Sequence, residues 1–92
     1  MNIDREDAET WATWFRALGD PTRIVILNLL ATARRPMSVA EIVDAVDVGQ
    51  STVSHHLKIL VDAGILTREQ RGKWAYYRLL PEILNTLARL IA

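Results

Sequence analysis

Five polar side chains with hydrogen-bonding chemistry are concentrated between residues 50 and 58 of the chain. They comprise an amide, two hydroxyls, an imidazole and an ammonium group: Gln50, Ser51, Ser54, His55 and Lys58. The apolar residues of the segment (Val53, Leu57 and Leu60) repeat at helical spacing, so a helix that buries them turns the polar groups towards solvent. Such groups bond base edges and phosphates in the major groove of DNA. The segment predicts a DNA-reading helix, although a solvated helix face without a partner has the same pattern.

The same residues do not predict catalysis or metal binding. Ser51 and Ser54 stand close to histidines, but one helix turn cannot combine a nucleophile, a base and an orienting acid. His55 and His56 are adjacent, so on a helix they point about 100° apart and cannot share a metal as an i, i+4 pair would. His56 lies at the edge of the buried face, where it either packs or contacts a phosphate. With no cysteine and no glycine-rich phosphate loop, we expect no enzyme activity, no cofactor and no metal site.

The segment Ser38–Leu66 has the pattern of a helix-turn-helix. Ser38 and Glu41 form a capping-box pair that starts a third helix, and Asp47-Val48-Gly49 predicts the turn. A fourth helix then runs from about Gln50 to Ala63, with Gly64 as its C′ residue. In this motif the second helix enters the groove, and its N-terminal residues contact the bases.

The hydrophobic period changes from 3.6 to 2 after Gly64, which predicts a β-hairpin. Its strands are Ile65–Gln70 and Lys73–Leu79, joined by a turn at Arg71-Gly72. In the second strand Ala75, Tyr77 and Leu79 share one face, and Trp74, Tyr76 and Arg78 share the other. Three basic residues cluster near the tip, within reach of phosphates or the minor groove: Arg68, Arg71 and Lys73.

Three further helices form the predicted scaffold. The first runs from about Arg5 to Leu18, is capped by Asp4 or Asp7, and carries an apolar stripe that either packs in the core or faces a partner subunit: Trp11, Trp14, Phe15 and Leu18. The second runs from Pro21 to about Ala33, and Asp20 caps its N-terminus. It is apolar nearly all round and should be the central buried helix. The last helix starts at Pro81 and is too short to be stable undocked.

Composition limits the function classes. We expect residues 1–92 to form a single domain. The net charge is zero, but residues 1–46 have a balance of −2 and residues 47–80 a balance of +2, which places the basic excess in the predicted DNA-facing segment. No apolar run is long enough for a membrane span, and the acidic N-terminus is unlike a signal peptide, so we expect a cytoplasmic protein. The absence of cysteine excludes disulfides and thiol redox sensing.

The chain resembles the ArsR/SmtB family of small winged helix-turn-helix repressors. Three stretches carry the resemblance: FRALGDPTRIVILNLL, SVAEIVDAVDVGQSTVSHHLKILVDAGIL and REQRGKWAYYRL. It implies a mainly α-helical fold with a β-hairpin wing, ordered as four helices, two strands and a fifth helix. It also implies a homodimer built from the first helix (about 5–18) and the last (about 81–92), through Trp11, Trp14, Phe15, Leu84, Leu87 and Ile91. The implied partner is palindromic double-stranded operator DNA, contacted by Gln50, Ser51, Thr52, Ser54, His55, Lys58, Arg71 and Lys73.

The metal sites that are common in this family have no counterpart here. The Cys-x-Cys position at the start of the third helix holds Met37-Ser38-Val39-Ala40, and the last helix, PEILNTLARLIA, has one acid and no histidine. Gly49 stands where the family usually has a capping serine. The resemblance therefore implies a repressor whose effector is an unknown organic molecule at the aromatic stripe of the first helix, a partner protein, or absent. The alternatives are a winged-helix protein-interaction module without DNA binding, and a repressor that senses a metal through an unrecognised site.

Overall fold

The structure is a computed structural model that describes residues 3–90. Its elements are α1 (Arg5–Ala17), α2 (Pro21–Ala33), β1 (Met37–Ser38), α3 (Val39–Val46), α4 (Gln50–Asp62), β2 (Leu66–Arg71), β3 (Trp74–Leu79) and α5 (Pro81–Leu90). This order confirms the predicted winged helix-turn-helix, with one additional strand, β1. In the described part of the chain, no helix combines the length and apolar character that crossing a membrane requires.

Side-chain caps set the helix starts, as the sequence predicts. Asp4 caps α1, and Asp20 caps α2 with Pro21 at the first helical position. The capping box of α3 is complete: Ser38 Oγ accepts from the Glu41 N–H at 3.2 Å, and Glu41 Oε1 accepts from the Ser38 N–H at 3.0 Å. Because these bonds are local in sequence, they fix the starts of α1, α2 and α3 independently of tertiary packing.

The turns on either side of α4 fix its position. Asp47 ends α3 in the left-handed region with φ 54°, a conformation that aspartate tolerates better than most side chains. Gly64 ends α4 with φ 80° and donates its N–H to the Val61 carbonyl, while the Ile65 N–H returns to the Leu60 carbonyl. This closure carries the chain directly into the buried start of the hairpin.

The sheet has three antiparallel strands in the order β1-β3-β2. The sequence did not predict β1, in which Met37 and Ser38 pair with Tyr77 and Tyr76. The hairpin turn is also displaced by one residue: Arg71 pairs with Trp74, so Gly72 and Lys73 form the two-residue turn rather than Arg71-Gly72. Gly72 has φ 60° at the first turn position, where type II′ hairpin turns place glycine.

The core lies between α2, α3, α4 and the inner face of the hairpin. Its fully buried side chains are Ile26, Ile42, Val53, Leu57, Leu60 and Ile65. The prediction that α2 is the central buried helix is wrong for one side of the helix, because Ile24 and Val25 remain 52 % and 50 % exposed. The main neighbours of α2 are α3, α4 and β3, and the residues of α2 that become buried are Ile26 and Leu30.

The two terminal helices each bury a single residue among those described, Ala17 in α1 and Ile83 in α5. Trp14 and Leu87 pack against the core, so part of each predicted apolar stripe belongs to the chain's own interior. Phe15 and Leu84 remain 50 % and 45 % exposed. Trp11 is half-buried, and Ile91, the remaining predicted interface residue, lies outside the described residues.

Candidate nucleic-acid interface

The recognition helix α4 is held by one fully buried face. Val53, Leu57 and Leu60 are inaccessible to solvent, which fixes the rotation of the helix about its axis. Every polar residue that the sequence assigned to DNA on this helix is exposed: Gln50, Ser51, Thr52, Ser54, His55 and Lys58. Five of these six lie in the first two turns. The prediction of an exposed polar surface concentrated at the N-terminal half of α4 is therefore confirmed.

The N-terminus of α4 is left open to an anion. Gly49 is the N-cap and supplies no side-chain hydrogen bond, and the first turn carries no acidic residue. The first N–H groups of the helix therefore have no side-chain acceptor within the described residues, and the positive end of the helix dipole is not neutralised there. A DNA phosphate can accept from these groups, which would place it beside Gln50 and Ser51.

His56 has a structural role in this arrangement. Its side chain is only 12 % exposed, and its Nδ1 lies 3.4 Å from a guanidinium nitrogen of Arg23 and 4.0 Å from Asp20 Oδ2. Because a guanidinium only donates, His56 Nδ1 is the acceptor in this contact. Arg23 Nε also donates to the Ala17 carbonyl at the end of α1. Of the two alternatives for His56, the geometry favours packing, because the residue ties α4 to the junction of α1 and α2.

Asp20 lies beside His56 and Arg23, and the pKa of its carboxyl group is lowered from the ordinary value. The main cause is the hydrogen bond from the Arg23 backbone N–H, and a hydrogen bond from the Thr22 backbone N–H and the charge of Arg23 add to it. The carboxylate at the start of α2 is therefore ionised at neutral pH and available as the acceptor for the helix cap.

Lys58 is already ion-paired in the free chain. Its Nζ lies 2.9 Å from Asp62 Oδ2 one turn later, and both side chains are largely exposed. An exposed pair of this kind is weak, so a phosphate can replace the carboxylate as the partner of the ammonium group. Lys58 therefore remains a candidate phosphate ligand, with Asp62 as its competitor.

The three bases of the wing do not form one cluster, which corrects the sequence prediction. Arg68 pairs with Tyr77 in the ladder and shares the inner face, where it bonds Gln70 at 2.8 Å. Arg71 pairs with Trp74 on the outer face, and Lys73 lies in the turn itself. The side of the sheet that a residue occupies alternates at every position, so Arg68 and Arg71, three residues apart, lie on opposite faces. Only Arg71 and Lys73 are therefore near the tip.

Arg71 is engaged on the outer face of the wing. It bonds Glu69 at 2.9 Å, and its guanidinium carbon lies 5.1 Å from the centre of the Tyr76 ring. The hydrogen bond from Arg71 lowers the pKa of Glu69. Lys73 has no carboxylate within ion-pairing distance among residues 3–90, so its ammonium group is the more available phosphate ligand.

Trp74 is a candidate contact that the sequence analysis did not select. It is 61 % exposed, next to Lys73, and lies on the outer face of the wing. The alternation of the strand had already placed it on that face, opposite the partly buried Ala75 and the buried Tyr77 and Leu79. The missed signal was an exposed tryptophan, which is costly to leave in water without a partner.

The histidine pair shows no metal-binding geometry. The two rings lie 5.7 Å apart and are tilted by 57°, with His55 in solvent and His56 turned inward. Across the described residues, no group of three or more histidine, aspartate or glutamate side chains is placed to hold a metal ion.

The helix α4 is amphipathic, its N-terminal half is polar, and it is the second helix of a helix-turn-helix. A basic hairpin follows it. This arrangement defines a winged helix-turn-helix regulator of DNA. The sequence pattern of the family described as "Bacterial regulatory protein, arsR family" matches residues 20–68. The chain belongs to this ArsR family and is a winged helix-turn-helix transcriptional regulator.

Individual relatives agree with this assignment. The chain is 40 % identical to an uncharacterised helix-turn-helix transcriptional regulator of Methanocaldococcus jannaschii, over 94 % of this chain and 96 % of that protein. It is 41 % identical to the arsenical resistance operon repressor of Bacillus subtilis, over 79 % of this chain and 69 % of that protein. A homodimeric winged helix-turn-helix DNA-binding domain from Mycobacterium bovis superposes with a TM-score of 0.77 at 29 % identity, covering 99 % of this chain and 84 % of that one.

Proposed function

We propose that the chain is a homodimeric repressor that binds a palindromic operator in double-stranded DNA in the cytoplasm. The observation that carries the proposal is the exposed polar N-terminal half of α4 on a helix whose other face is fully buried. A rigid backbone is what base readout needs, because hydrogen bonds to base edges discriminate only when their donors are held in place. Similarity to a curated repressor and to a homodimeric DNA-binding domain supports it.

The proposed contacts divide into two groups. Gln50, Ser51, Thr52, Ser54 and His55 supply the groups that reach base edges and the nearest phosphates. Lys58, Arg71 and Lys73 supply positive charge for phosphates beyond them and carry no sequence information. Losing a base contact should therefore change sequence preference, whereas losing a phosphate contact should weaken binding to all sequences equally.

The proposed dimer face is supported by exposed apolar surface on both terminal helices. Phe15 on α1 and Leu84 on α5 are about half exposed, and the uncovered side of α2 adds Ile24 and Val25. Four large apolar side chains left in water are more than a small chain needs, and burial against a second copy removes them from solvent. The palindromic form of the operator follows from the two-fold symmetry of such a dimer.

Salt-dependent binding tests the proposal. A dimer that neutralises about six to ten phosphates should lose about 10³–10⁵-fold in affinity between 50 and 200 mM salt. Gln50→Ala and His55→Ala should each reduce discrimination between operator and mutated operator by about 1–3 kcal/mol per lost base contact. If DNA affinity does not change with salt, or if operator and random DNA bind equally well, the results would instead favour the protein-interaction module.

A further inference from the structure

A small cleft opens where the end of α2 meets the end of β3 and the start of α5. Its volume is about 270 Å³, slightly less than the ~300–1,000 Å³ of most small-molecule sites. Apolar side chains, among them Leu30, Ala31 and Leu84, form most of the lining, together with three arginines: Arg34, Arg35 and Arg78. The cleft therefore combines an apolar interior with concentrated positive charge, and it lies on elements other than α4.

The positive charge of this cleft is not balanced locally. The three other clefts described in the chain each include an acid among their lining residues, Asp62 in two of them and Glu82 in the third. The arginine-lined cleft includes none. Arg35 is neutralised from outside by Glu41 at 2.8 Å. Two cationic groups without an ion-pairing partner among residues 3–90 therefore remain.

Those two groups are Arg34 and Arg78. Within residues 3–90 neither has a carboxylate in ion-pairing distance. Glu69, whose pKa Arg78 helps to lower, bonds Arg71 instead. Guanidinium groups bind carboxylates through paired hydrogen bonds, so two unpaired arginines beside an apolar wall select an anion with an apolar body.

Arg34 also has an unfavourable backbone conformation. It ends α2 in the left-handed region with φ 56°, where glycine or asparagine is the usual residue. A long cationic side chain at this position costs backbone stability that glycine would recover. Replacing Arg34 by glycine would therefore remove the guanidinium without a backbone penalty.

We infer that this cleft binds a small organic anion, a carboxylate on an apolar body about the size of one aromatic ring. The apolar part lies against Leu30, Ala31 and Leu79, and the carboxylate is held by Arg34 and Arg78. The ligand contacts both the wing strand β3 and the proposed dimer helix α5. The inference does not depend on DNA binding, and it is tested in the absence of DNA.

Calorimetric titration of the full chain with three probes separates the two recognition elements. Benzoate has both the ring and the charge, benzamide has the ring alone, and acetate has the charge alone. Because charge-assisted hydrogen bonds contribute more than neutral ones, benzoate should bind at least about tenfold more tightly than benzamide. Benzoate should also bind more tightly than acetate by a similar factor, because the ring buries additional apolar surface.

Four variants connect the binding to the cleft. Arg78→Gln should weaken benzoate by about tenfold, whereas Arg89→Gln, an equal charge change on the exposed surface of α5, should leave it unchanged. Arg34→Gly should weaken benzoate binding and raise the midpoint of thermal unfolding. A folding defect therefore cannot explain the loss of binding. Ala31→Leu keeps every charge, fills the apolar wall, and should abolish the binding.

Three results would overturn the inference. The first is equal binding of benzoate, benzamide and acetate to the unmodified chain. The second is equal benzoate affinity of the Arg78→Gln and Arg89→Gln variants. The third is a shift of the monomer–dimer equilibrium by Arg34→Gly and Arg78→Gln without any benzoate binding, which would identify the cleft as a contact for the second copy.

Discussion

The ion pair between Lys58 and Asp62 allows the phosphate role of α4 to be tested with two opposite charge changes. In a dimer each substitution acts twice, so Lys58→Gln removes two phosphate contacts. Each contact contributes about −0.9 to the slope of log affinity against log salt, so the slope should become shallower by about 1.8. The loss of DNA affinity caused by Lys58→Gln should therefore be about tenfold larger at 50 mM salt than at 200 mM salt.

Asp62→Asn should act in the opposite direction. It releases Lys58 from the carboxylate 2.9 Å away and removes a negative charge that would face the DNA. An exposed i, i+4 pair is worth about 0.3–0.5 kcal/mol, so releasing two of them should strengthen binding about three- to fivefold. The ordering of affinities at 50 mM salt should be Asp62→Asn, unmodified chain, Lys58→Gln.

Fluorescence anisotropy of a labelled operator duplex at 50, 100 and 200 mM salt measures all three affinities. Arg5→Gln is the control, because it makes the same charge change on α1, where the arginine pairs with Glu9 away from α4. It should leave the slope unaltered. A slope for Lys58→Gln equal to that of the unmodified chain, or weaker binding by Asp62→Asn, would refute the role of Lys58 as a phosphate ligand.

Three further predictions concern the dimer, pH and the cap of α4. Phe15→Asp should raise the dimer dissociation constant at least about 30-fold in sedimentation, as for an interface hot spot, because it places a charge in the proposed dimer face. Glu41 has its pKa lowered to about 2 by the hydrogen bond from Arg35. Its contribution to stability is therefore complete above its ordinary pKa of 4.5 and is lost as pH falls from there to about 2. Glu41→Gln keeps the capping geometry and should flatten the dependence of urea midpoint on pH in that window. Gly49→Ser should stabilise the chain by a few tenths of a kcal/mol, because φ is −62° and a serine there can cap α4.

Each of these predictions has a control within the chain. Trp74→Ser removes an equally exposed aromatic residue from the wing and should leave the dimer intact. Glu6→Gln changes an acid without an ion pair among the described residues and should not flatten the pH dependence. Gly64→Ser should lower stability, because φ is 80° there, although a Cβ would meet nothing closer than 4.0 Å. Stabilisation by Gly64→Ser, or an unchanged dimer constant for Phe15→Asp, would contradict the structural reasoning.

Local sequence signals predicted the features that depend on local bonds. The capping box at Ser38 and Glu41, the cap at Asp20 and the C′ glycine at Gly64 all lie within a few residues of the helix ends that they define. The buried line Val53, Leu57 and Leu60 follows from helical periodicity alone. The recognition surface was therefore predictable from a short segment, because burial of one face determines what the other face exposes.

Features that depend on partners distant in sequence were not predictable in this way. The strand β1 has only two residues, so no alternation reveals it, and it exists because Tyr76 and Tyr77 pair with it. The exposure of Ile24 and Val25 depends on which side of α2 its neighbours cover. The contact between Arg23 and His56 joins two helices that are far apart in the sequence, and the pairing of Arg71 with Trp74 places the hairpin turn at Gly72 and Lys73.

The central claim is that two copies of α4 read DNA through their N-terminal halves. Selection of bound duplexes from a random DNA pool, followed by titration of the selected site, tests it most directly. We expect a palindrome whose half-sites lie about one helical turn apart, bound by two chains, with sequence preference reduced by Gln50→Ala or His55→Ala. Failure to enrich any sequence, or an enriched site whose preference survives both substitutions, would contradict the account.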